Sequence, residues 1–237
     1  MNPVLPKKDM TEEDIKLQYI TPAVTSKWSR GKITMETQIT DGKINLKGNM
    51  AFREKPKRVD YLLYLSANNP IAVIEAKDNN HAVSHGLQQA MEYARMLDLP
   101  FAFSSNGDGF AEHDFLTGTE RKFGLDEFPT EVELTVRFKR ESGLCPAQEA
   151  AIDQPYYSSQ STYPPRYYQR IAINRTMDAI ARGQQRLLLV MATGTGKTYT
   201  AFQIVYRLLK SSMKRKVLYL SLIHISEPAR HLRISYA

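Results

Sequence analysis

The chain has 237 residues, enough for one large domain or one and a half smaller ones, with a core that needs no covalent staples. Its 32 Lys and Arg against 25 Asp and Glu give a net charge of +7 and a pI near 9.3, which favours an anionic partner without naming it. A single cysteine, Cys145, excludes an internal disulfide and fits a reducing cytoplasm, while the absence of a signal-peptide core and of any apolar run near the ~20 residues of a membrane helix excludes a membrane role.

In chain order, Thr11-Glu12-Glu13-Asp14 has capping-box form ahead of Ile15, Leu17 and Ile20, so a first helix should start at Thr11 and end or kink near Pro22. Its acids are read as caps, with a further metal contact from Glu12, Glu13 or Asp14 as the alternative, and are left out of the candidate site. Ile33, Met35, Thr37 and Ile39 alternate with more polar neighbours, and Asp41-Gly42 followed by Lys43-Ile44-Asn45-Leu46 predicts a hairpin turn with its return strand, where the sheet begins. Arg53, Lys55, Lys57 and Arg58 then form a basic run with two readings, passage of a DNA backbone or a solvated loop.

Two apolar runs rich in β-branched and aromatic residues, Val59 to Leu65 and Ile71 to Lys77, are split by a turn at Ser66 to Pro70 and predict buried strands. Strand side chains alternate at about 3.3 Å per residue, so Glu75 and Lys77 share a face roughly 6.6 Å apart while Ala76 points away. With Asp60 opposite, two carboxylates and one ammonium converge at a strand end, which is either a solvated end or a metal site. Hard oxygens suit Mg²⁺, which takes one or two protein carboxylates with water and substrate phosphate, so Asp60 and Glu75 are the candidate metal ligands. Lys77 would steady the developing phosphoryl charge or orient the attacking water.

The polar link Asn79 to Gly86 carries His81 and His85, which lack the further ligands a zinc site needs. A helix follows with an apolar stripe of Leu87, Ala90, Met91, Ala94 and Leu97, and Gln89 and Tyr93 share a face beside it. Leu99 to Phe103 predicts another strand before the strong turn Ser104 to Gly109. Thr130 and Glu133 fit a helix cap, whereas Val132, Leu134, Val136 and Phe138 alternate as a strand would; the capping favours helix. From about Lys139 to Pro165 no period is sustained, which reads as an interdomain linker whose Tyr residues pack on neighbours rather than stack on bases.

Asp60, Glu75-Ala76-Lys77 and Gln89-Ala90-Met91-Glu92-Tyr93 together resemble the nuclease domain of the motor (R) subunit of type I restriction enzymes, a branch of the PD-(D/E)xK nucleases. The family's Gln-x-x-x-Tyr element matches Gln89 and Tyr93, but Val59 stands where the family usually has Pro before the first acid. The resemblance implies a restriction-endonuclease-like mixed α/β sheet flanked by helices over residues 1–138, with Asp60, Glu75, Lys77, Gln89 and Tyr93 as catalytic residues. Gln89 and Tyr93 would either touch DNA or brace the metal ligands, and bracing is favoured.

A second constellation lies downstream. Leu187 to Val190 reads as a short strand, Met191-Ala192-Thr193-Gly194-Thr195-Gly196-Lys197-Thr198 as a phosphate loop, and the helix after it carries Phe202, Val205, Tyr206 and Leu209 on one face. Glycines let backbone N–H groups turn to a phosphate at a helix start; Lys197 would reach the β- and γ-phosphates of ATP and Thr198 would hold Mg²⁺. Met191 replaces the first Gly of the usual pattern. Upstream, Pro165-Arg166-Tyr167-Tyr168-Gln169 resembles the adenine-reading Q motif of superfamily 2 helicases, with the Gln169 amide able to pair with both edge groups of adenine.

The resemblance thus implies an endonuclease domain (1–138), a linker (139–164) and the first strand, phosphate loop and helix of a RecA-like domain (165–220), truncated, with ATP hydrolysis by this chain alone not expected. Lys216 to Leu220 reads as the next strand. Residues 221–237 do not continue the family pattern and resemble translated sequencing-adapter sequence. As partners the family implies double-stranded DNA and the methyltransferase and specificity subunits of a restriction complex. Two rival readings are a defence nuclease-helicase acting without those subunits, and a nucleotide-gated DNA-binding module that never cuts.

Overall fold

The computed structural model describes residues 5–40, 44–47, 50–53, 55–66 and 69–220. The turn at Asp41-Gly42, the middle of the turn at Ser66 to Pro70 and the tail 221–237 lie outside them.

The first helix is built in three pieces: α1 (Glu12–Ile15), a π-helical turn (Lys16–Ile20) and α2 (Thr21–Lys27). Thr11 and Asp14 form the capping box as the sequence indicates. Pro22 neither ends the helix nor opens a gap: the π turn precedes it, with the Thr21 N–H donating to the Lys16 carbonyl five residues back. A widened turn removes the clash a proline ring would make with the carbonyl four residues earlier.

Six strands form the main sheet in the order β1-β4-β5-β6-β7-β8. They are β1 (Ile33–Gln38), β4 (Arg58–Ser66), β5 (Asn69–Ala76), β6 (Phe101–Ser105), β7 (Gly109–Asp114) and β8 (Thr119–Gly124). β2 (Ile44–Lys47) does not return along β1; it pairs with β3 (Met50–Arg53) as a separate two-stranded sheet, so β1 takes β4 as its neighbour instead. Pro70, expected in the turn, lies inside β5 opposite Tyr64, at the strand's first residues, before β5 gains its second neighbour β6 at Ala72.

β4 and β5 are buried on both faces, which is why they read as continuous apolar runs. On one face Tyr61, Leu63, Ala72 and Ile74 pack with Ile15, Ile20, Val24 and Trp28 of the first helix and Leu134 of α4 (Glu131–Ser142). On the other, Leu62, Tyr64 and Val73 pack against Leu87, Ala90, Met91 and Ala94 of α3 (Leu87–Leu97). That helix is the crossover that makes β5 and β6 parallel.

Helix wins at α4, where Thr130 and Glu133 complete a capping box. The alternating residues also stand four apart, so Leu134 and Phe138 turn inward and Val132 and Val136 remain exposed.

The stretch expected to be an aperiodic linker contains the last turn of α4 and a helix, α5 (Pro146–Asp153), started by Pro146 and by Gln148 accepting the Cys145 N–H. Ala151 of α5 packs with Ile173 and Met177 of α6 (Tyr167–Ala181) and Leu208 of α7 (Lys197–Lys210). Tyr156 and Tyr157 pack on neighbours: the Tyr156 hydroxyl donates to Asn174 at 2.7 Å, and the Tyr157 ring meets Phe202 and Tyr206.

Leu187 to Val190 and Lys216 to Leu220, expected as strands, have no strand partner among the described residues, and Leu188 and Leu218 are 88% and 82% exposed. The buried side of α7 is Thr200, Gln203, Arg207 and Leu208, while Phe202 on the expected face stays exposed. The polar side is buried because it holds main chain: Gln203 bonds both the N–H and the carbonyl of Tyr157, and Arg207 donates to the Ile152 carbonyl and to Asn174. No helix among the described residues is long and apolar enough to cross a membrane.

Candidate functional site

The antiparallel pairing of Tyr61 with Ile74 carries on to set Asp60 across from Glu75, at the end of the hairpin away from its turn. Both acids are buried, at 8% and 4% exposure, in an otherwise apolar strand pair. Asp60 Oδ2 accepts the Ala76 N–H at 2.7 Å, a bond that fixes the two strand ends to each other. Glu75 Oε1 accepts from Lys77 Nζ at 3.1 Å and from Gln89 Nε2 at 2.5 Å, and the same Gln89 amide lies 3.0 Å from the Tyr93 hydroxyl. Helical spacing on α3 brings Gln89 and Tyr93 to this edge, one turn apart. Gly86 leaves the room: a β-carbon there would stand 3.3 Å from Glu75 Cγ and 3.4 Å from Lys77 Cγ.

Glu75 Oε2 is buried and has no hydrogen-bond partner. Burial, reinforced by the Asp60 charge and only partly offset by Lys77, pushes the Glu75 carboxyl up to about 8. A buried carboxylate oxygen without a donor, beside a second carboxylate, suits a cation. The residues therefore fit a hard divalent ion, which Asp60 and Glu75 could hold. Among the described residues no group of three His, Cys, Asp or Glu side chains is placed to hold a metal ion, so water and substrate oxygens would have to complete the shell around the two acids.

The first helix contributes more than caps. Asp14 caps, but Glu12 Oε2 reaches to 3.9 Å from Lys77 Nζ, and burial together with the Asp60 charge raises its carboxyl against the pull of Lys77. Lys16, 2% exposed, puts its ammonium 3.0 Å from Asp60 Oδ1, 2.8 Å from Glu36 Oε1 and 2.5 Å from Glu13 Oε1. Burial works against its charge, yet the three carboxylates hold its pKa above the ordinary lysine value. The sequence offered one signal for these residues, a lysine set directly beside Ile15 on the helix that buries it, and no signal for Glu36. Of the basic run, Lys57 pairs with Glu92 at 2.6 Å and lies 5.7 Å over the Tyr93 ring, beside the site. His81 contacts Asp78 and stacks on His85, apart from the two acids.

The second candidate region is the loop before α7. Gly194 and Gly196 have φ of +77° and +81°, a conformation that side chains resist and that turns successive N–H groups to one side. Open space surrounds Gly194, where a β-carbon would meet nothing within 4 Å. Lys197 folds its ammonium back to the Met191 and Ala192 carbonyls at 3.3 and 3.2 Å, and Thr195 Oγ1 donates to the Ala192 carbonyl at 2.6 Å. Thr193 and Thr198 are exposed along the loop and first turn. Gln169 is brought to the loop from α6, but both ends of its amide are taken: Oε1 accepts the Arg166 N–H and Nε2 donates to the Thr195 carbonyl, each at 2.9 Å. It braces the loop, and any β-carbon at Gly196 would collide with it at 2.5 Å.

A buried acid pair on a mixed sheet, followed by a glycine loop opening a helix, defines the class: a mixed α/β unit with an acidic strand-end site, joined to a glycine-loop segment. Comparison with known proteins gives this class a family. The family model described as type I restriction enzyme R protein N terminus matches residues 26–129, and that described as type III restriction enzyme, res subunit, matches residues 162–222. The chain is 45% identical over 219 residues to the EcoAI endonuclease subunit of a type I restriction enzyme from Escherichia coli, covering 90% of this chain and 27% of that one. With the EcoKI endonuclease subunit from Escherichia coli (strain K12) it shares 28% identity over 221 residues, 73% of this chain and 18% of that one. A fragment structure of an HsdR subunit of a type I restriction enzyme from Vibrio vulnificus YJ016 matches with a TM-score of 0.75 at 40% identity, over 85% of this chain and 38% of that one. The chain belongs to the type I restriction enzyme R-subunit family and corresponds to its N-terminal part. It spans about a quarter or less of the length of the curated relatives it matches.

Proposed function

We propose that this chain carries the DNA-cleaving centre and the ATP phosphate loop of the R subunit of a type I restriction-modification system, a cytoplasmic assembly that cuts unmodified double-stranded DNA with Mg²⁺. The observation that carries the reading is the orphaned, buried Glu75 Oε2 across the strand pair from Asp60. When bound there, Mg²⁺ supplies Lewis-acid polarisation of the phosphodiester and a more acidic attacking water. Lys77, anchored on Glu75, offers its ammonium to the charge that develops on the phosphate. Gln89 fixes the Glu75 carboxylate and Tyr93 fixes Gln89, so that the pair orients the metal ligand. The division expected from the sequence, endonuclease over 1–138, connection over 139–164 and the opening of a RecA-like domain over 165–220, shifts at its first boundary, because α4 runs on to Ser142 and α5 packs on α6 and α7.

For ATP, the loop Thr193 to Thr198 would take the phosphates: Lys197, now on two loop carbonyls, is free to turn to the β- and γ-phosphates, and Thr198 would hold the nucleotide's Mg²⁺. Gln169 would meet adenine only by giving up the Arg166 and Thr195 main chain, so its first role is to set the loop. Hydrolysis and translocation belong to the complete subunit working with methyltransferase and specificity subunits. Cleavage of circular duplex DNA by the reconstituted complex, wild type against Asp60→Ala and Lys77→Ala, tests the centre; both variants should lose cutting while still binding DNA. Equal cleavage by all three would remove the assigned site. Lys197→Ala should bind ATP far more weakly at an unchanged thermal midpoint, and undiminished ATP binding would count against the loop.

A further inference from the structure

Lys16 is a charged side chain with almost no exposure, and its three ammonium protons meet three carboxylates from three elements: Glu13 of α1, Glu36 of β1 and Asp60 of β4. Its position is built. The π turn that begins at Lys16 sets its place on the first helix, and Glu36 is held at φ +48°, a backbone region that non-glycine residues avoid unless their surroundings impose it. The carboxylate so aimed goes to Lys16. Lys77 is a different kind of lysine: it is more exposed and touches the acids of the other flank, Glu75 and Glu12.

The two oxygens of Asp60 are thereby divided. Oδ1 belongs to the Lys16 cluster, and Oδ2 lies at the Ala76 N–H on the Glu75 side. The acids that would make a second cation position beside Asp60, Glu13 and Glu36, are already gathered around an ammonium. A divalent ion cannot share that position, because two like charges a few ångströms apart in a buried site repel strongly. Among the described residues the orphaned carboxylate oxygen is on Glu75 alone.

We propose that Lys16 is a positioning residue that stands where a second divalent ion would bind, so that the Asp60–Glu75 centre takes one divalent ion and not two. The proposal rests on the reading of Asp60 and Glu75 as the metal pair. Mn²⁺ titration of the full 237-residue chain without nucleotide, followed by electron paramagnetic resonance, counts the tightly bound ions and detects spin coupling between neighbours. The wild type should bind one uncoupled Mn²⁺ that is lost in Asp60→Asn. Lys16→Ala should bind two, with the coupled signal of adjacent ions. Two coupled ions in the wild type, or a single ion in a folded Lys16→Ala chain, would overturn the role of Lys16 while leaving the metal pair standing. No Asp60-dependent Mn²⁺ in the wild type would instead overturn the metal pair and the proposal with it. If Lys16→Ala does not fold by circular dichroism, Lys16→Met, which keeps the length of the side chain and removes its charge, takes its place with the same two outcomes.

Discussion

The sheet around β5 and the segment around the phosphate loop are written in the same apolar vocabulary and fold differently. Ile71 to Ala76 is hydrogen-bonded on both sides, to β4 and β6, and wholly buried. Leu187 to Val190 has an equally apolar run, no strand partner among the described residues, and exposures from 38% to 88%. Strand structure is a property of neighbours: an apolar run becomes a strand only when adjacent chain supplies the N–H and carbonyl groups its backbone needs. The difference extends to chemistry. At β5 the polar groups of the site are pinned by helices on both flanks, whereas the glycine loop before α7 is braced by Gln169 from α6 and by its own Lys197.

Replacing one residue on each side of this contrast gives its strongest test. Phe103→Ala, which removes a fully buried ring that packs on buried Phe128 and half-buried Phe123, should cost about 3–5 kcal/mol in denaturant unfolding. The buried acid should then be visible in pH. The Glu75 carboxyl is raised from 4.5 to about 8, so the folded chain keeps a proton that the unfolded chain has released, and stability should fall as pH rises between those values. Glu75→Gln should abolish that slope and be more stable than the wild type at pH 8 without added Mg²⁺, with Mg²⁺ raising the thermal midpoint of the wild type only. A wild-type midpoint that stays flat across this range would dissolve the claim of an unneutralised acid. A smaller effect is expected at the cap of α4, where Thr130→Ala should lose about 1 kcal/mol, read from the same denaturation curves. Least of all, Leu188→Ala should change stability by less than about 0.5 kcal/mol, because the side chain is already in water. A Leu188 loss comparable to that of Phe103 would mean that the loop segment is packed after all.

Local signals were legible where they act locally. The capping boxes at Thr11 and Thr130, the strand pair ending in Asp60 and Glu75, and the turn-apart placement of Gln89 and Tyr93 follow from spacing and residue type. The helix at Pro146 to Asp153 was also written in the chain, in a proline at its first position and a glutamine three residues after Cys145, but a short helix carries too little periodicity to stand out from a linker. Strand partnership was not legible: nothing local distinguishes a return strand along β1 from β2 pairing forward to β3, because both satisfy the same alternation.

By itself, then, the sequence determined the acid pair, the glycine loop and the family they belong to, since these rest on residue identities at short, fixed spacings. Only the tertiary structure decided what surrounds them. Lys16 reaches Asp60 across 44 residues of chain and Glu36 reaches Lys16 across 20, Gln169 reaches the loop across 26, and Gln203 and Arg207 are buried because they bind main chain that no helical pattern could announce. Burial of a charge depends on which partners folding brings to it, and the partners of these residues lie outside the reach of any local pattern.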